Sequence, residues 1–310
     1  MRKIFNKTLL ELARKNKKIY MVLGDIGYGE IEPFRDAFPE RYFNVGVAEQ
    51  NMTGVACGIA MEGNIAVTYS IANFPTLRCL EQIRNDVCYH NANVKIVIIG
   101  GGVAYGPLGI SHHSTEDIAI MRALPNMLVF CPCDCVEAEA ATRAMIEHDG
   151  PVYYRCGYKG EKDIHQTKID FKVGKALTVK EGKDAAIIFT GPIGYNVLLA
   201  NDILVKKGIK CRLVSLHTIK PIDSRAIVKA AQETGAIITV EEHNLSGGMG
   251  SAVAEVLADN SVTGVKFKRI AFPDIYVSLV GHQEWLRDKY GMSPEKIART
   301  VQKTIGREKR

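Results

Sequence analysis

Several common signatures are missing from this 310-residue chain, and each absence argues against a class of protein. No run approaches the roughly 18 apolar residues of a membrane-spanning helix, and the N-terminus lacks a signal peptide's apolar stretch. We therefore expect a cytoplasmic protein with no membrane partner. The phosphate-binding pattern GxxxxGK[ST] and the complete dinucleotide-binding pattern GxGxxG are also missing, which argues against both of these nucleotide-binding classes.

The chain also lacks a concentrated basic patch, although its formal net charge is +6. Its densest basic group is the tail at 307–310, which we interpret as a frayed end rather than a nucleic-acid-binding arm. We expect no nucleic-acid partner, and anionic small substrates are compatible with this charge.

The eight cysteines do not form the paired pattern of a typical zinc site. Three of them fall in Cys131–Cys135, between an apolar run and a segment with helical spacing, and no second pair accompanies them. With no secretion signal, we expect reduced thiols. We predict a strand-to-helix turn here, with Asp134 as the helix N-cap, and no metal site.

Short apolar runs alternate with segments of helical spacing along the whole chain, which predicts parallel sheets covered by helices. The predicted strands of the first half are 19–23, 65–69, 94–99, 127–130 and 152–154, and its helices are 4–15, 49–61, 75–89, 115–123 and 136–148. The predicted strands of the second half are 185–189, 211–216, 237–240 and 267–271, and its helices are 194–206, 224–233, 250–258 and 293–304. The fold class is α/β, with two consecutive domains.

A polar stretch after Gly157 marks the domain boundary. We predict a first domain at 1–165, a linker at 166–182 and a second domain at 183–310. In open α/β sheets, ligands bind at the carboxyl ends of the strands. The loops at 24–29, 70–74 and 100–113 should therefore converge near the helix that begins at Glu49.

Glu49 is a carboxylate at the start of a helical run of small and apolar residues, Met52 to Met61. A buried, unpaired Glu is costly, so one interpretation is a functional group that transfers a proton. The other interpretation is a residue stabilised by the dipole in the first turn of its helix. The local pattern leaves both open.

Two further positions have both functional and structural interpretations. His112 and His113 lie in a long glycine-rich loop, where they can move protons or bind anions, or simply be exposed. Phe74 follows a strand, where it can stack on a heteroaromatic ring or pack under the next helix.

Together these motifs resemble the C-terminal half of a transketolase, over essentially the whole chain. The matching segments are 43–52, 81–86, 111–113, 124–127, 149–151, 240–243, 247–252 and 289–291. The resemblance implies a pyrimidine-binding domain of the thiamine-diphosphate-binding type, followed by the transketolase C-terminal domain. The enzyme would move a two-carbon ketol unit from a ketose to an aldose.

The resemblance also implies a role for each candidate residue. Glu49 would hydrogen-bond the pyrimidine nitrogen of thiamine diphosphate and promote the imino tautomer of the cofactor. Phe74 would stack on the pyrimidine, and Asp25 would lie near the cofactor. The substrate-binding residues would be His112, His113, Arg78 and Arg2, and His112 would also be catalytic.

The sequence lacks the Gly-Asp-Gly motif, with an Asn some 25 residues later, through which such enzymes hold diphosphate and metal. Gly24-Asp25-Ile26 is not that motif. The resemblance therefore implies a split enzyme in which an N-terminal transketolase subunit holds the diphosphate and Mg²⁺ (or Ca²⁺). The expected assembly is an α2β2 heterotetramer.

Departures from the family leave the substrate open. Positions that contact phosphate in the family align with Gly29, Gly100 and Tyr158, whereas Arg2 matches a family arginine. An Asp that faces sugar hydroxyls aligns with Leu108. Either the donor or acceptor is therefore unusual, which makes unphosphorylated or modified sugars plausible substrates, or phosphate is gripped differently.

Three alternatives remain at this stage. The chain could be the β-chain of a 2-oxo acid dehydrogenase, an acyloin synthase resembling deoxyxylulose-phosphate synthase, or a non-catalytic partner subunit. The segments 81–86 and 111–113 favour transketolase over the first two, and the intact Glu49 argues against the third.

Overall fold

The structure is a computed structural model that describes residues 1–307, so most of the basic tail lies outside the described residues. The first half forms six parallel strands, joined by a seventh from further along the chain. These strands are β1 (Ile19–Leu23), β2 (Tyr42–Asn44), β3 (Ile65–Ile71), β4 (Val94–Ile99), β5 (Leu128–Phe130), β6 (Val152–Cys156) and β10 (Thr218–Lys220). Their order is β10-β5-β6-β4-β3-β1-β2, and β10 alone among them is antiparallel.

Helices cover both faces of this sheet, so its central strands β3, β4 and β6 are buried along their whole length. The helices are α1 (Arg2–Lys15), α2 (Glu32–Ala37), α3 (Glu49–Met61), α4 (Leu80–Gln82), α5 (Asp117–Ala123) and α6 (Cys135–Glu147). The N-cap prediction is confirmed, since the Asp134 side chain accepts a hydrogen bond from the Glu137 amide at 2.8 Å.

The helix predicted over 75–89 is wrong as a single element. The chain makes turns up to Cys79, then forms the short α4, and continues as a π-helical segment over Ile83–Cys88. The hydroxyl of Thr76 bonds the carbonyl of Ala72 at 2.8 Å, so the turns after β3 have local partners other than a regular helix. The spacing of apolar residues does not show that local hydrogen bonds of this kind can replace those of a regular helix.

The second half forms a five-stranded sheet with helices on both faces. Its strands are β7 (Leu177–Lys180), β8 (Ala185–Phe189), β9 (Cys211–Ser215), β11 (Ala236–Asn244) and β12 (Lys266–Phe272). Its helices are α7 (Gly194–Val205), α8 (Ser224–Thr234), α9 (Met249–Asp259), α10 (Gln283–Lys289) and α11 (Pro294–Ile305). The order is β12-β11-β8-β9-β7, with β7 antiparallel to its neighbour. The predicted fold class is confirmed.

The two halves share structure across the predicted boundary. Strand β7 lies inside the segment predicted as linker, and β10 pairs with the edge strand β5 of the first sheet. An edge strand exposes unpaired backbone N–H and C=O groups, and pairing with β10 satisfies those of β5. The domain limits at 165 and 183 stay a prediction. Among residues 1–307, no helix combines the length and apolar character needed to cross a membrane.

Candidate active site

Glu49 is the first residue of α3 and lies at the carboxyl end of the first sheet, with its side chain 1 % exposed. Gly24, directly after β1, lies against this side chain, since a Cβ at Gly24 would be in van der Waals contact with Glu49 Cγ at 3.4 Å. Oε2 of Glu49 accepts a hydrogen bond from Nη1 of Arg78. The carboxylate is therefore buried and paired, and it also benefits from the helix N-terminus.

Arg78 connects Glu49 to the aromatic residues of the site. Its Cζ lies 5.0 Å from the centroid of the Phe74 ring, and that ring meets His112 edge-on with centroids 5.2 Å apart. The structure thus brings Glu49, Arg78, Phe74 and His112 into one contiguous group. The sequence predicted all four as site residues, but not the pairing of Glu49 with Arg78.

This pairing leads to a stability prediction for the subunit alone. Arg78→Ala leaves a buried carboxylate without its charged partner, so the free energy of unfolding should fall by roughly 2 kcal/mol. The loss is not larger because the Arg78 side chain is 45 % exposed and water partly replaces it. Urea unfolding measures the change, with the exposed Arg84→Ala as the matched control. Equal stability of both variants would show that the pair contributes nothing.

The two adjacent histidines have different surroundings. His112 is half-buried, its Nδ1 lies 3.0 Å from the Ser111 hydroxyl, and burial lowers its pKa. The imidazole is therefore neutral at pH 7 and can exchange hydrogen bonds with a ligand. His113 is 2 % exposed beside the backbone of Gly106 and Val277, burial lowers its pKa, and neither ring nitrogen has a side-chain partner. This interior position does not support the predicted substrate contact of His113.

Asp25 lies one residue beyond Gly24 and is exposed, with a positive φ of 54°. Its carboxylate accepts hydrogen bonds from the Tyr28 hydroxyl at 2.7 Å and the Asn44 amide at 2.9 Å, and these bonds lower its pKa. Asp25 is thus a fixed negative charge at the edge of the site, which is compatible with its predicted position near the cofactor.

Arg2 is connected to His112 through two tyrosine rings. Its Cζ lies 5.6 Å from the ring centroid of Tyr158, and Lys159 Nζ lies 5.3 Å from the same centroid. Tyr158 contacts Tyr105 at 4.4 Å between centroids, and Tyr105 reaches His112 at 6.1 Å. Two aromatic rings therefore separate His112 from a pair of cations.

Sequence patterns did not identify the residues that hold the loop of His112 and His113 (the histidine loop) in place. Arg155, buried in β6, donates from Nε to Asp117 at 2.7 Å and from Nη2 to the carbonyls of Ser114 at 2.9 Å and Glu242 at 3.0 Å. Burial raises the pKa of Asp117, but the Arg155 guanidinium outweighs it and holds the pKa below its usual range. A charged residue inside an otherwise apolar strand was the available signal.

Apolar side chains surround this site on its exposed side. Val47 and Leu77 are next to the segments that carry Glu49 and Arg78, and they are 74 % and 44 % exposed. Tyr28, which bonds Asp25, is 68 % exposed. Exposed apolar residues grouped around polar ones are typical of a surface that another molecule covers.

Comparison with known proteins gives this arrangement a family. The family model "Transketolase, pyrimidine binding domain" matches residues 1–157, and "Transketolase, C-terminal domain" matches residues 174–297. One relative, an apulose-4-phosphate transketolase subunit of Phocaeicola vulgatus, is 39 % identical over 302 residues, which are 97 % of this chain and 96 % of that protein.

Two further similarities bear on the type of enzyme. The 1-deoxy-D-xylulose-5-phosphate synthase 1 of Geobacter sulfurreducens is 37 % identical over 302 residues, 95 % of this chain but 46 % of that protein. A solved structure described as "Split gene transketolase, inactive beta4 tetramer" matches with a TM-score of 0.88 and 37 % identity. It covers 99 % of this chain and 98 % of that one. The chain belongs to the transketolase family, as the C-terminal subunit of a split transketolase.

Proposed function

We propose that this chain is the β subunit of a cytoplasmic α2β2 transketolase that uses thiamine diphosphate and is active only with its partner. The assembled enzyme transfers a two-carbon ketol unit from a ketose to an aldose. The observation that carries the proposal is the buried Glu49 carboxylate, which Arg78 connects to the Phe74 ring and His112, with exposed apolar side chains nearby.

The residues present fit the pyrimidine half of this cofactor. Glu49 offers a buried carboxyl to an aromatic ring nitrogen, and the Phe74 ring, over which the Arg78 guanidinium lies, would offer an apolar face once Arg78 turns away. The sequence supplies no Gly-Asp-Gly motif for diphosphate and Mg²⁺ (or Ca²⁺), which we assign to the partner subunit. When bound, thiamine diphosphate supplies the electron sink needed to break the carbon–carbon bond next to a ketose carbonyl.

Each residue of this chain then has a defined task. Glu49 holds a proton against the ring nitrogen, which requires Arg78 to turn away from the carboxylate and frees its guanidinium for substrate oxygens. Phe74 fixes the plane of the ring. His112, neutral at pH 7, exchanges hydrogen bonds with substrate hydroxyls, and the buried Arg155–Asp117 pair keeps the base of its loop in place.

A reaction assay of the reconstituted pair separates this function from its alternatives. We expect ketol transfer from a ketose to an aldose when both subunits are present. Condensation of pyruvate with an aldehyde phosphate, without ketol transfer, would favour a synthase instead. Decarboxylation of a 2-oxo acid in the presence of an electron acceptor, without ketol transfer, would favour the β-chain of a 2-oxo acid dehydrogenase. A mixture that assembles but shows none of these reactions would indicate a non-catalytic subunit.

His112 gives a kinetic prediction for the assembled enzyme. His112→Ala removes a hydrogen bond to substrate, so kcat/KM should fall by roughly 10- to 100-fold, in line with about 1.5–3 kcal/mol for a bond to a charged or developing-charge group. Because burial lowers the pKa of His112, the wild-type activity that depends on its neutral form should persist below pH 6.5. Steady-state kinetics across pH measures both effects, and the exposed His90→Ala is the control. An unchanged kcat/KM would show that His112 does not contact the substrate.

The cations around Tyr158 predict a preference for anionic sugars. Arg2→Gln should raise KM for a phosphorylated substrate by about tenfold, because a charge-assisted hydrogen bond is lost, and leave KM for the unphosphorylated analogue unchanged. The neighbouring exposed Lys3→Gln is the matched control. Equal effects on both substrates would indicate that Arg2 acts on the fold rather than on phosphate.

A further inference from the structure

A group of metal-ligating side chains lies at the start of α6, outside the site built around Glu49. Cys133, Glu137 and His165 each offer one ligand atom, and these atoms all lie within 4.8 Å of one another. Cys133 is 1 % exposed, Glu137 is fully buried, and the His165 side chain is 9 % exposed. Burial of such groups is costly unless they are hydrogen-bonded, paired or bound to a metal ion.

Asp134 fixes the orientation of His165. Its Oδ2 accepts hydrogen bonds from the His165 amide and ring Nδ1, each at 2.9 Å, while Oδ1 caps α6. A ring that donates from Nδ1 directs Nε2 into the cluster. This carboxylate–histidine arrangement is the one that orients imidazole ligands in metal sites.

Two buried atoms in the cluster have no hydrogen-bond partner. They are His165 Nε2 and Glu137 Oε1, which face each other at 3.8 Å. That separation is too long for a hydrogen bond. The other oxygen of Glu137 is held by the Cys133 amide at 2.8 Å, so the carboxylate cannot turn to find another donor without losing that bond. A buried carboxylate oxygen and a buried imidazole nitrogen that face each other without a hydrogen bond leave room for positive charge between them, supplied by a proton on the imidazole or by a bound cation.

We propose that Cys133 Sγ, Glu137 Oε1 and His165 Nε2 bind a divalent transition-metal ion of the Zn²⁺ class. Thiolate, imidazole and carboxylate together match that class by ligand type. Tetrahedral coordination with bonds of about 2.0–2.3 Å places ligand atoms about 3.3–3.7 Å apart, so the cluster needs to contract by only about an ångström. Three protein ligands leave a fourth position for water, near the Ser215 hydroxyl, which lies 3.8 Å from Cys133 Sγ.

The location indicates a structural ion. Cys133 and Glu137 belong to the turn into α6, His165 is the last residue before the predicted linker, and Ser215 ends β9 of the second sheet. A metal ion here would tie the segment just before the predicted linker to the start of α6, close to the end of β9 of the second sheet.

The spacing explains why the sequence analysis predicted no metal site. Cys133 and Glu137 are four residues apart across the start of a helix, and His165 is supplied by a segment 28 residues further on. This is not the paired cysteine pattern of common zinc sites. None of the three residues belongs to the group formed by Glu49, Arg78, Phe74 and His112, so the Mg²⁺ of the cofactor is a separate ion.

Metal analysis of the full chain tests the proposal. Because the cluster is buried, the protein is unfolded and refolded with Zn²⁺ and then freed of loosely bound metal by dialysis. We expect about one zinc ion per chain in the wild type and in Cys135→Ser, a matched control from the same turn with its thiol outside the cluster. Cys133→Ser and His165→Gln should lose most of it.

Two readouts keep the test decisive if a variant folds poorly. Co²⁺ in the wild type should give a sulfur-to-cobalt absorption band that is absent in Cys133→Ser. The Tm of the wild type should be higher after refolding with Zn²⁺ than with a chelator, and that difference should vanish in the isosteric Glu137→Gln. A wild type without metal under these conditions, or Cys133→Ser and His165→Gln variants with full zinc content, would overturn the proposal.

Discussion

Glu49→Gln should lower kcat of the reconstituted enzyme by about 100-fold or more. Glutamine keeps the shape of the side chain and its place at the start of α3, but it cannot hold a proton against the cofactor's ring nitrogen. The wild-type carboxyl is 1 % exposed, so water cannot readily replace it in that role. Initial-rate measurements of ketol transfer with both subunits present give the ratio of kcat values.

The control for this substitution lies on the same helix segment. Glu62 follows α3 on the exposed side, and Glu62→Gln makes the same chemical change without touching the site. We expect its kcat to equal that of the wild type. If Glu49→Gln retained activity within a factor of about two, a barrier change below about 0.5 kcal/mol, Glu49 could not be the acid that activates the cofactor.

The subunit alone should neither bind thiamine diphosphate detectably nor turn over substrate. Much of the affinity for such a cofactor comes from its diphosphate and metal ion, and this chain has no Gly-Asp-Gly motif for either. In the free subunit, Arg78 also pairs with Glu49, so the carboxyl that should meet the pyrimidine is engaged. Addition of the N-terminal subunit should produce micromolar binding and full turnover together.

Titration calorimetry, first on the subunit alone and then on the mixture, measures this change. The suitable partner is a chain of about 270 residues, within the usual size of one or two domains, that carries Gly-Asp-Gly followed by Asn. A mixture made with Glu49→Gln is the control, because it should assemble normally and still fail in turnover. Micromolar cofactor binding by the isolated subunit would contradict the division of the site between two chains.

The regular elements could be predicted where apolar periodicity was strong. Strands β1, β4 and β8 and helix α3 have the bounds expected from the sequence. A strand buried on both faces is mostly apolar, so such strands stand out as short apolar runs. The short strand β10 could not be predicted in this way. It exists because the edge of β5 offers backbone partners, and that opportunity arises only after both sheets have formed.

In the candidate site, too, the sequence predicted one part and not the other. The identities of Glu49, Phe74, Arg78 and His112 followed from motifs, because their chemistry depends on residue type. Their contacts did not, since Arg78 lies 29 residues from Glu49 and reaches it only when the turns after β3 are formed. The opposite environments of His112 and His113 likewise depend on which neighbour the folded loop covers.

By itself the sequence determined the fold class, the family resemblance and a list of reactive side chains, because these follow from periodicity and residue identity. Only the tertiary structure decided which of those side chains meet. It paired Glu49 with Arg78, anchored the histidine loop through Arg155, and brought His165 to Cys133 and Glu137. The physical reason is that hydrogen bonds and coordination act over a few ångströms, and distances of that order between remote residues are set by the packing of whole elements.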